Sequence, residues 1–358
     1  MMWLMNRART DPTQEGLYLA DTGSPRVDSA VSYFNVDIEL MKSEFAAIDP
    51  QPPAAFDRRI YQGSLVHSQD LIARDAQDHN NQFDRVRDAG FSLNGGNASV
   101  FSYSRDPVYA HAGFNIDWGG NDGTGMQTGR GHRKGIMASG NTVSTNVGIA
   151  MVPENDPNTS VGPLVTSIVY ARAWTGASDH YNRFLVGTVW EDQNENGIYD
   201  PGEGLSGVNV SPNLGDFFAV TSSSGGWAIP ALQAGDYTIT FSGGDLDVPE
   251  QRSVTVGSTS VLVTWNDADT FTSPSPLPPK EVKVSISKLT TGGEISWTAE
   301  PGHNYQLQVW SRESGWENDN RAVLATGTLR TTTFDNSEFE DSFLVRIIST
   351  RTGNQSQM

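Results

Sequence analysis

The stretch of this sequence with the most closely spaced oxygen donors is "DQNENGIYDPGE", which runs from Asp192 to Glu203. Acidic or amide side chains stand at its first, third, fifth, ninth and twelfth positions, and glycine stands at the sixth. Calcium takes about six to eight oxygen ligands, so such residues must alternate around a sharp turn that glycine permits. The stretch meets the D-x-[DN]-x-[DN]-G-x5-E pattern at every position. The predicted calcium ligands are Asp192, Asn194, Asn196, the backbone carbonyl of Ile198, Asp200 and Glu203.

A polar surface turn is the alternative interpretation of this stretch, but a chance turn would rarely satisfy the whole pattern. The sequences on either side, "GTVW" and "LSGVNV", have the character of strands rather than helices. The loop is therefore predicted to join two β-strands. It would not belong to a helix–loop–helix switch.

The elements that must position chemical groups differ along the chain. Residues 1 to about 180 carry nearly all the helical periodicity, in "SLVHSQDLIARDAQDH" and in "FDRVRDAGF". The first of these places Leu71, Ile72 and Ala76 on one helical stripe, and Asp11 is predicted to cap a helix that starts at Pro12. The later runs "NVGIAMV" and "LVTSIVYARAW" are predicted as buried strands. Helices followed by strands predict an α+β fold or an α/β/α sandwich.

The rest of the chain is predicted to be all-β. From Phe184 to about Trp265, short strands recur at roughly 8–12-residue spacing between Gly, Asn and Asp. The proline-rich segment "TFTSPSPLPPKE" is predicted as a linker, and the strand patterns "EVKVSIS", "GEISWTA" and "FLVRIIST" follow it. The predicted fold is therefore multidomain, an α/β/α sandwich and two all-β immunoglobulin-like sandwiches, with domains at 1–180, 184–267 and 279–351.

The segment from about Asn6 to Ala173 resembles the bacterial branch of the CAP superfamily (SCP/PR1-like). The matching pieces occur in the family's order: "LMNRARTDP", "HSQDLIARDAQDH", "FDRVRDAGF", "GGNASVF", "HAGFNIDWGG", "GMQTGRGHRKGIM", "NVGIAMV" and "VGPLVTSIVYA". The resemblance implies an α/β/α sandwich, a secreted protein, and a cleft that holds two histidines and two acidic residues.

Carried onto this chain, the resemblance places His79, Asp117 and His132 in that cleft as candidate catalytic or metal-binding residues. The other acid of the family is a glutamate before an asparagine, but here the dipeptide is Gly96-Asn97. Two imidazoles and one carboxylate make a thinner zinc site than the family pattern. We therefore expect weak or absent zinc binding, an open groove beside Gly96, and recovery of metal affinity in Gly96→Glu if the backbone there admits a side chain.

The two β regions carry resemblances of their own. The context of the calcium loop, "VWEDQNENGIYDPGEGLSGVNVSP", is similar to the SdrD B-like repeat of bacterial surface proteins, which implies a calcium-stiffened, immunoglobulin-like spacer. The last region, with "ISWTAEPGHNYQLQVWS", resembles a fibronectin-III-like module. Its aromatic residues Trp297, Tyr305 and Trp310 are predicted to lie in the core, and an exposed carbohydrate platform is the alternative.

Composition excludes several classes of function. The chain has 358 residues, a net charge of −18 and no cysteine. So acidic a chain is a poor partner for nucleic acid or anionic membrane. It has no disulfide or thiolate chemistry, no GxSxG elbow and no P-loop. It has no apolar run of ~18 residues that would form a membrane span, and "MMWLMNRART" carries no signal-peptide pattern.

These observations predict an extracellular or surface-attached bacterial protein with a ligand-binding, adhesive or matrix role. The cleft would bind a lipid, a peptide or a glycan, and the partner would be the cell surface or extracellular matrix. One alternative is a metal-assisted hydrolase that uses His79, Asp117 and His132, which the missing glutamate disfavours. The other is a purely structural extracellular protein.

Overall fold

The computed structural model describes residues 1–120, 122–140 and 143–266, and the backbone of the strands between 284 and 351 whose bounds are given below. The chain divides into two compact units, Met1–Thr270 and Phe271–Met358. Within the described residues, the helices all lie in the first 140 positions. None of these helices is long and apolar enough to cross a membrane.

The first unit begins with a region of mixed helices and strands. Its elements, in chain order, are α1 (Met2–Thr10), α2 (Pro12–Ala20), α3 (Pro25–Phe34), α4 (Ile38–Ala46), β1 (Ala55–Phe56), α5 (Arg58–Arg74), α6 (Gln82–Asp88), β2 (Leu93–Ser104), α7 (Pro107–Ala112), a π-helical turn (Gly113–Asp117), α8 (Gly131–Ile136), β3 (Asn146–Pro153) and β4 (Leu164–Ala173).

Local capping explains where these helices begin and end. The prediction at Asp11 is confirmed, since its carboxylate accepts the backbone N–H of Gln14 at 2.9 Å and α2 starts at Pro12. The sequence predicted a helical stripe that continues through Ala76. This prediction is wrong at its end, because α5 stops at Arg74. The next residue, Asp75, is left-handed (φ 49°), and its carboxylate accepts N–H groups from the chain at 160–161. The left-handed residue ends the helix, with the backbone N–H of Ala76 bonded to the Leu71 oxygen at 2.9 Å.

A four-stranded sheet in the order β1-β3-β4-β2 forms the middle layer of this region. Alternate residues of β4 point to opposite faces. Ile168 and Tyr170 join the core that contains Met5 of α1, whereas Val169 joins the core that contains Ile60 of α5. Helices therefore cover both faces of the sheet, and the predicted buried strands "NVGIAMV" and "LVTSIVYARAW" are confirmed as β3 and β4.

The remainder of the first unit, here called the β-module, is built from two packed sheets. Its strands are β5 (Phe184–Trp190), β6 (Asn209–Pro212), β7 (Ala219–Val220), β8 (Gly226–Pro230), β9 (Gly235–Gly243), β10 (Leu246–Val256), β11 (Val261–Leu262) and β12 (Trp265–Asn266). One sheet has the order β10-β9-β6-β7, and the other has the order β11-β5-β12 with β8 paired to β5. Both contribute to one core, with Leu185 and Trp227 from one sheet and Ile239 and Phe241 from the other.

The second unit contains antiparallel strands in two sheets. The strands are β13 (Val284–Leu289), β14 (Gly292–Thr298), β15 (His303–Ser311), β16 (Gly315–Asn318), β17 (Val323–Leu324), β18 (Leu329–Asp335) and β19 (Leu344–Arg351). The predicted proline linker and the side chains of Trp297, Tyr305 and Trp310 lie outside the described residues. The mixed α and β content and the several sheets confirm the coarse prediction of a multidomain α/β protein.

Candidate functional site

The first candidate site is a buried carboxylate–imidazole pair in the mixed region. Asp117 Oδ1 lies 2.7 Å from His132 Nδ1, and Asp117 Oδ2 accepts the backbone N–H of His132 at 3.0 Å. A carboxylate only accepts hydrogen bonds, so Nδ1 of this imidazole carries a proton. Asp117 is fully buried, whereas the His132 side chain is 27 % exposed. The ring is thus held in one orientation, with Nε2 as the nitrogen that can meet a ligand.

Hydrogen bonds from Arg133 connect helix α8 to the π-helical turn next to this pair. Arg133 donates from Nε to the backbone oxygen of Asn115 at 2.6 Å and from Nη2 to that of Ile116 at 3.0 Å. Glu44 of α4 accepts from Arg133 and, at 3.0 Å, from Arg130 just before α8. Burial lowers the pKa of Arg133 despite the Glu44 contact. These bonds fix the backbone that places Asp117 against His132.

His79 does not take part in this pair. Its side chain is exposed, and its Nδ1 lies 2.8 Å from Oε1 of Gln82, which in turn donates to the backbone oxygen of Ile168. Among residues 1–120, 122–140 and 143–266, no three His, Asp or Glu side chains form a group that could hold a metal ion. The described side-chain positions therefore do not fit a zinc site built from His79, Asp117 and His132.

The space beside Gly96 is filled rather than open, which corrects the expectation of a groove there. A Cβ at this position would lie 2.6 Å from the backbone oxygen of Tyr170 and 3.4 Å from the ring of Phe83. The pairing of β2 with β4 is irregular just before this residue, between Leu93 and Gly96. Glycine thus permits a close approach of two strands, and a glutamate there would require the backbone to move.

The second candidate site is the loop from Asp192 to Glu203, which leaves β5 and is closed at its base by a bridge between Trp190 and Gly204. Gly197 at the sixth position has φ 73°, a conformation that favours glycine. The Asp192 carboxylate accepts backbone N–H groups from Asn196 at 3.0 Å and from Gly197 at 2.6 Å. The loop is therefore already turned around its first acidic residue.

Three other predicted ligands contact one another across this loop. Both Asn194 and Asn196 donate from Nδ2 to Oδ2 of Asp200 at 2.8 Å. Turning each carboxamide about its last bond would exchange the N–H₂ group for Oδ1, because the two atoms occupy equivalent positions. At present Oδ1 of Asn194 accepts the backbone N–H of Asn196 at 3.1 Å, and Oδ1 of Asn196 accepts that of Ile198 at 2.7 Å. The loop offers three carboxylates, two amides and one backbone carbonyl, which are the kinds of oxygen ligand that calcium takes. In the arrangement described, however, the carboxylates of Asp192, Asp200 and Glu203 do not form a group that could hold a metal ion.

Glu203 differs from the other acidic residues of the loop because it is buried. Only 4 % of its surface is exposed, and its Oε2 accepts the backbone N–H of Asp200 at 2.7 Å. Burial raises the pKa of the Glu203 carboxyl, and the negative charges of Asp200 and Asp192 raise it further. In the described part of the chain it has no cationic partner. A divalent cation among these carboxylates would relieve that cost.

The same loop packs against the first helix of the chain. Ile198 contacts the core of the mixed region, and the ring centroid of Tyr199 lies 5.9 Å from that of Trp3 in α1. Trp190 completes this cluster at 6.2 Å from Trp3 and 5.8 Å from Tyr199. The residue whose carbonyl is a predicted calcium ligand is thus also a contact between the β-module and the mixed region.

Comparisons with known proteins do not identify the fold of this chain. No family model matches the chain, and no curated protein matches it. Among solved structures, a Bacteroides uniformis protein to which carbohydrate binding is ascribed aligns with 12% identity and a TM-score of 0.19, over 49% of this chain and 92% of that one. The Bacillus anthracis TIE protein aligns with 10% identity and a TM-score of 0.19, over 78% of this chain and 55% of that one. TM-scores this low do not indicate a shared fold.

Proposed function

We propose that this chain is an extracellular or surface-attached bacterial protein of the CAP type, in which the mixed region binds a ligand and the β-module is a calcium-stabilised spacer. The observation that supports the calcium part is Glu203, a buried carboxylate whose pKa is raised by burial and by the negative charges of Asp200 and Asp192. The complete ligand pattern around Gly197 supports it. The similarity to the SdrD B-like repeat is consistent with both features.

The proposed extracellular location is supported by the chemistry of this loop. Calcium sites in extracellular modules have dissociation constants of about 10⁻⁴–10⁻³ M, far above cytosolic calcium concentrations. The proposed loop has three carboxylates and two neutral amides, and it must break hydrogen bonds between Asn194, Asn196 and Asp200 before it can bind. Both properties favour weak binding. A weak site of this kind is filled only where calcium is abundant, which is outside the cell.

Direct titration of the full chain with calcium tests this proposal. We expect one ion per chain in the wild-type protein, and loss of binding by about tenfold or more in Glu203→Gln, which removes a charged ligand. Glu195→Gln is the matched control, because Glu195 is exposed and stands at a non-ligand position of the same loop. Binding by wild type and both variants with equal affinity would contradict the assignment, as would no binding by any of the three.

The cleft is proposed to bind a lipid, peptide or glycan ligand beside the Asp117–His132 pair. An imidazole oriented by a buried carboxylate can accept a hydrogen bond or a proton through Nε2. Metal-assisted hydrolysis, the alternative function, would require His79 to leave Gln82 and join the pair. Tight zinc binding that is abolished by His132→Ala would favour this alternative. A purely structural role is the third candidate.

The glycine that replaces the family's glutamate provides a separate test of the cleft. Gly96→Glu is expected to destabilise the mixed region by about 1–3 kcal/mol without creating tight zinc binding, because even its Cβ would clash with the Tyr170 backbone. Gly96→Ala should lose a comparable amount. Gly131→Ala is the control, since a Cβ there meets nothing within 4 Å. Nanomolar zinc binding by Gly96→Glu with an unchanged melting temperature would contradict this prediction.

A further inference from the structure

A groove of about 560 Å³ lies in the first unit, between the mixed region and the β-module. It is separate from both the Asp117–His132 pair and the calcium loop, and none of the residues of those two sites lines it. Pockets for small ligands have volumes of about 300–1,000 Å³. The groove is therefore large enough for one or two sugar rings.

The charges in the groove differ in sign from the charge of the whole chain. Arg172 and Arg183 line it, against one acidic residue, Asp179, although the chain has a net charge of −18. Arg172 is exposed on β4, and within the described residues no hydrogen bond or ion pair to it is present. The negative charge of Asp179 is shared with Arg59 outside the groove. The pKa of Arg59 is raised by its hydrogen bond to Asp57 and by the charges of Asp57 and Asp179, although burial lowers it. The groove thus keeps an excess of positive charge.

The guanidinium of Arg183 is fixed by two backbone oxygens. Its Nε donates to the backbone oxygen of Ala231 at 2.7 Å and its Nη1 to that of Gly257 at 3.0 Å. Both acceptors are neutral, so they fix the plane of the guanidinium without neutralising its charge. A guanidinium fixed in this way can bind a carboxylate with little loss of side-chain entropy.

His180 does not add a third cation to the wall. Its Nε2 accepts the backbone N–H of Ser92 at 2.8 Å, so this nitrogen carries no proton. Its Nδ1 lies 2.6 Å from the backbone oxygen of Ser178 and acts as the donor there. The cationic side chains that line the groove are therefore the two arginines.

The remaining wall is rich in hydroxyl groups and has one aromatic ring. Thr175, Ser258 and Thr259 line the groove together with Tyr181. The ring of Tyr181 is supported edge-on by Phe217 at a centroid distance of 5.7 Å. Hydroxyl groups and a supported ring suit a polyhydroxylated ligand, because its hydroxyls can form hydrogen bonds while its C–H face packs on the ring.

We propose that this groove binds a carboxylate-bearing glycan, with the carboxylate of a uronic acid on Arg172 and Arg183 and the sugar ring against Tyr181. The proposal concerns a site apart from the CAP-type cleft, so it stands or falls independently of calcium binding and of any ligand in that cleft.

Calorimetric titration of the full chain with a galacturonic acid hexamer tests it. We expect saturable binding to wild type, weakened about tenfold or more in Arg172→Gln, because a charge-assisted hydrogen bond is lost. The methyl-esterified hexamer, which has the same sugar rings without the charge, should bind at least as weakly as the acid binds that variant. Arg26→Gln is the control, since Arg26 is a cation with a 61% exposed side chain elsewhere in the chain, and it should bind like wild type.

The location can be checked independently because the chain has no cysteine. Thr259→Cys should react with a thiol reagent and be protected by the hexamer, whereas Ser29→Cys on α3 should not be protected. Several outcomes would overturn the proposal: no binding of either galacturonate or glucuronate oligosaccharides, equal binding of acid and ester, or equal losses in Arg172→Gln and Arg26→Gln. Tighter binding of a sulfated, uronate-free oligosaccharide would overturn the carboxylate assignment.

Discussion

Removing calcium is expected to lower the melting temperature of the first unit by roughly 5–10 °C. At free calcium about 100 times the dissociation constant, binding stabilises the folded protein by about 2.7 kcal/mol. Large domains shift by about 2–4 °C for each kcal/mol. This scale applies if the β-module melts together with the mixed region, as the contact of Ile198 with the core of that region suggests. A β-module that melts alone would shift further, since smaller domains are more sensitive.

The effect of Glu203→Gln on the stability of the protein should have opposite signs in chelator and in calcium. Because the pKa of Glu203 is raised in the folded protein, its ionised form opposes folding near neutral pH when no cation is bound. In chelator, the variant is therefore expected to be as stable as wild type or more stable, and wild type should gain stability as pH falls toward that raised pKa. In calcium, wild type should be the more stable protein.

Melting curves of wild type, Glu203→Gln and the control Glu195→Gln, each with calcium and with chelator, measure this crossover. Glu195→Gln should follow wild type in both conditions. A wild-type curve that is the same in chelator and calcium would contradict the calcium assignment. Equal destabilisation of Glu203→Gln in both conditions would show that Glu203 serves packing alone.

The turn of the loop from Asp192 to Glu203 was predictable because the residues that form it are neighbours in the sequence. Twelve consecutive residues carry the donors and the glycine, and the left-handed φ of Gly197 agrees with the position that the pattern requires. Most strands were predictable for a similar reason, since β-branched alternation and turn residues are local. The end of α5 was not, because no local pattern marks Asp75 as left-handed, and its side chain is held by residues 160–161, far along the chain.

Side chains brought together by the fold were harder to predict. The pair Asp117–His132 was expected from a family resemblance, whereas the space around Gly96 depends on a strand pairing that no local pattern specifies. Glu15 and His111 are separated by 96 positions and meet in the core. In the sequence both look like ordinary polar residues of helices, so the pattern did not indicate that either would be buried.

The contact between these last two residues forms part of a buried ion-pair network. Glu15 Oε1 lies 2.6 Å from His111 Nε2, and Oε2 accepts from Arg7 at 2.7 Å. Neither the Glu15 nor the His111 side chain is exposed to solvent. Because an ionised carboxylate only accepts hydrogen bonds, His111 Nε2 carries a proton and donates to Glu15, and Asn115 Nδ2 lies 3.2–3.3 Å from the two ring nitrogens. The network ties α1, α2 and α7 together.

Glu15→Gln is expected to destabilise the mixed region by about 3–5 kcal/mol, because it leaves the buried guanidinium of Arg7 without a counter-charge. Glu39→Gln is the matched control, since Glu39 forms an ion pair with Lys42 but its own side chain is 68 % exposed. That control should cost less than about 0.5 kcal/mol. Denaturant unfolding of both variants and wild type at pH 7 measures the difference.

The dependence on pH separates the ion pair from simple packing. Burial alone would raise the pKa of Glu15, but the charge and hydrogen bonds of Arg7 and the hydrogen bond from His111 outweigh it and hold the pKa below its usual value. Burial lowers the pKa of His111. Both groups therefore bind protons less readily in the folded protein. Stability from His111 declines as pH falls below its unfolded pKa of about 6.5, and stability from Glu15 declines as pH falls below about 4.3 toward the folded pKa.

The stability difference between wild type and Glu15→Gln should therefore shrink as pH falls below about 4.3, because only wild type has the Glu15 carboxylate to protonate. Other carboxylates with lowered pKa values, such as Glu44 and Asp78, titrate in both proteins and cancel in this difference. Parallel pH profiles for wild type and Glu15→Gln between pH 7 and acid conditions would contradict an ionised Glu15 in the core. A loss as small as that of Glu39→Gln at neutral pH would contradict the buried ion pair itself. The double variant Arg7→Leu/Glu15→Leu should lose less than the two single substitutions added together, since it removes both charges at once.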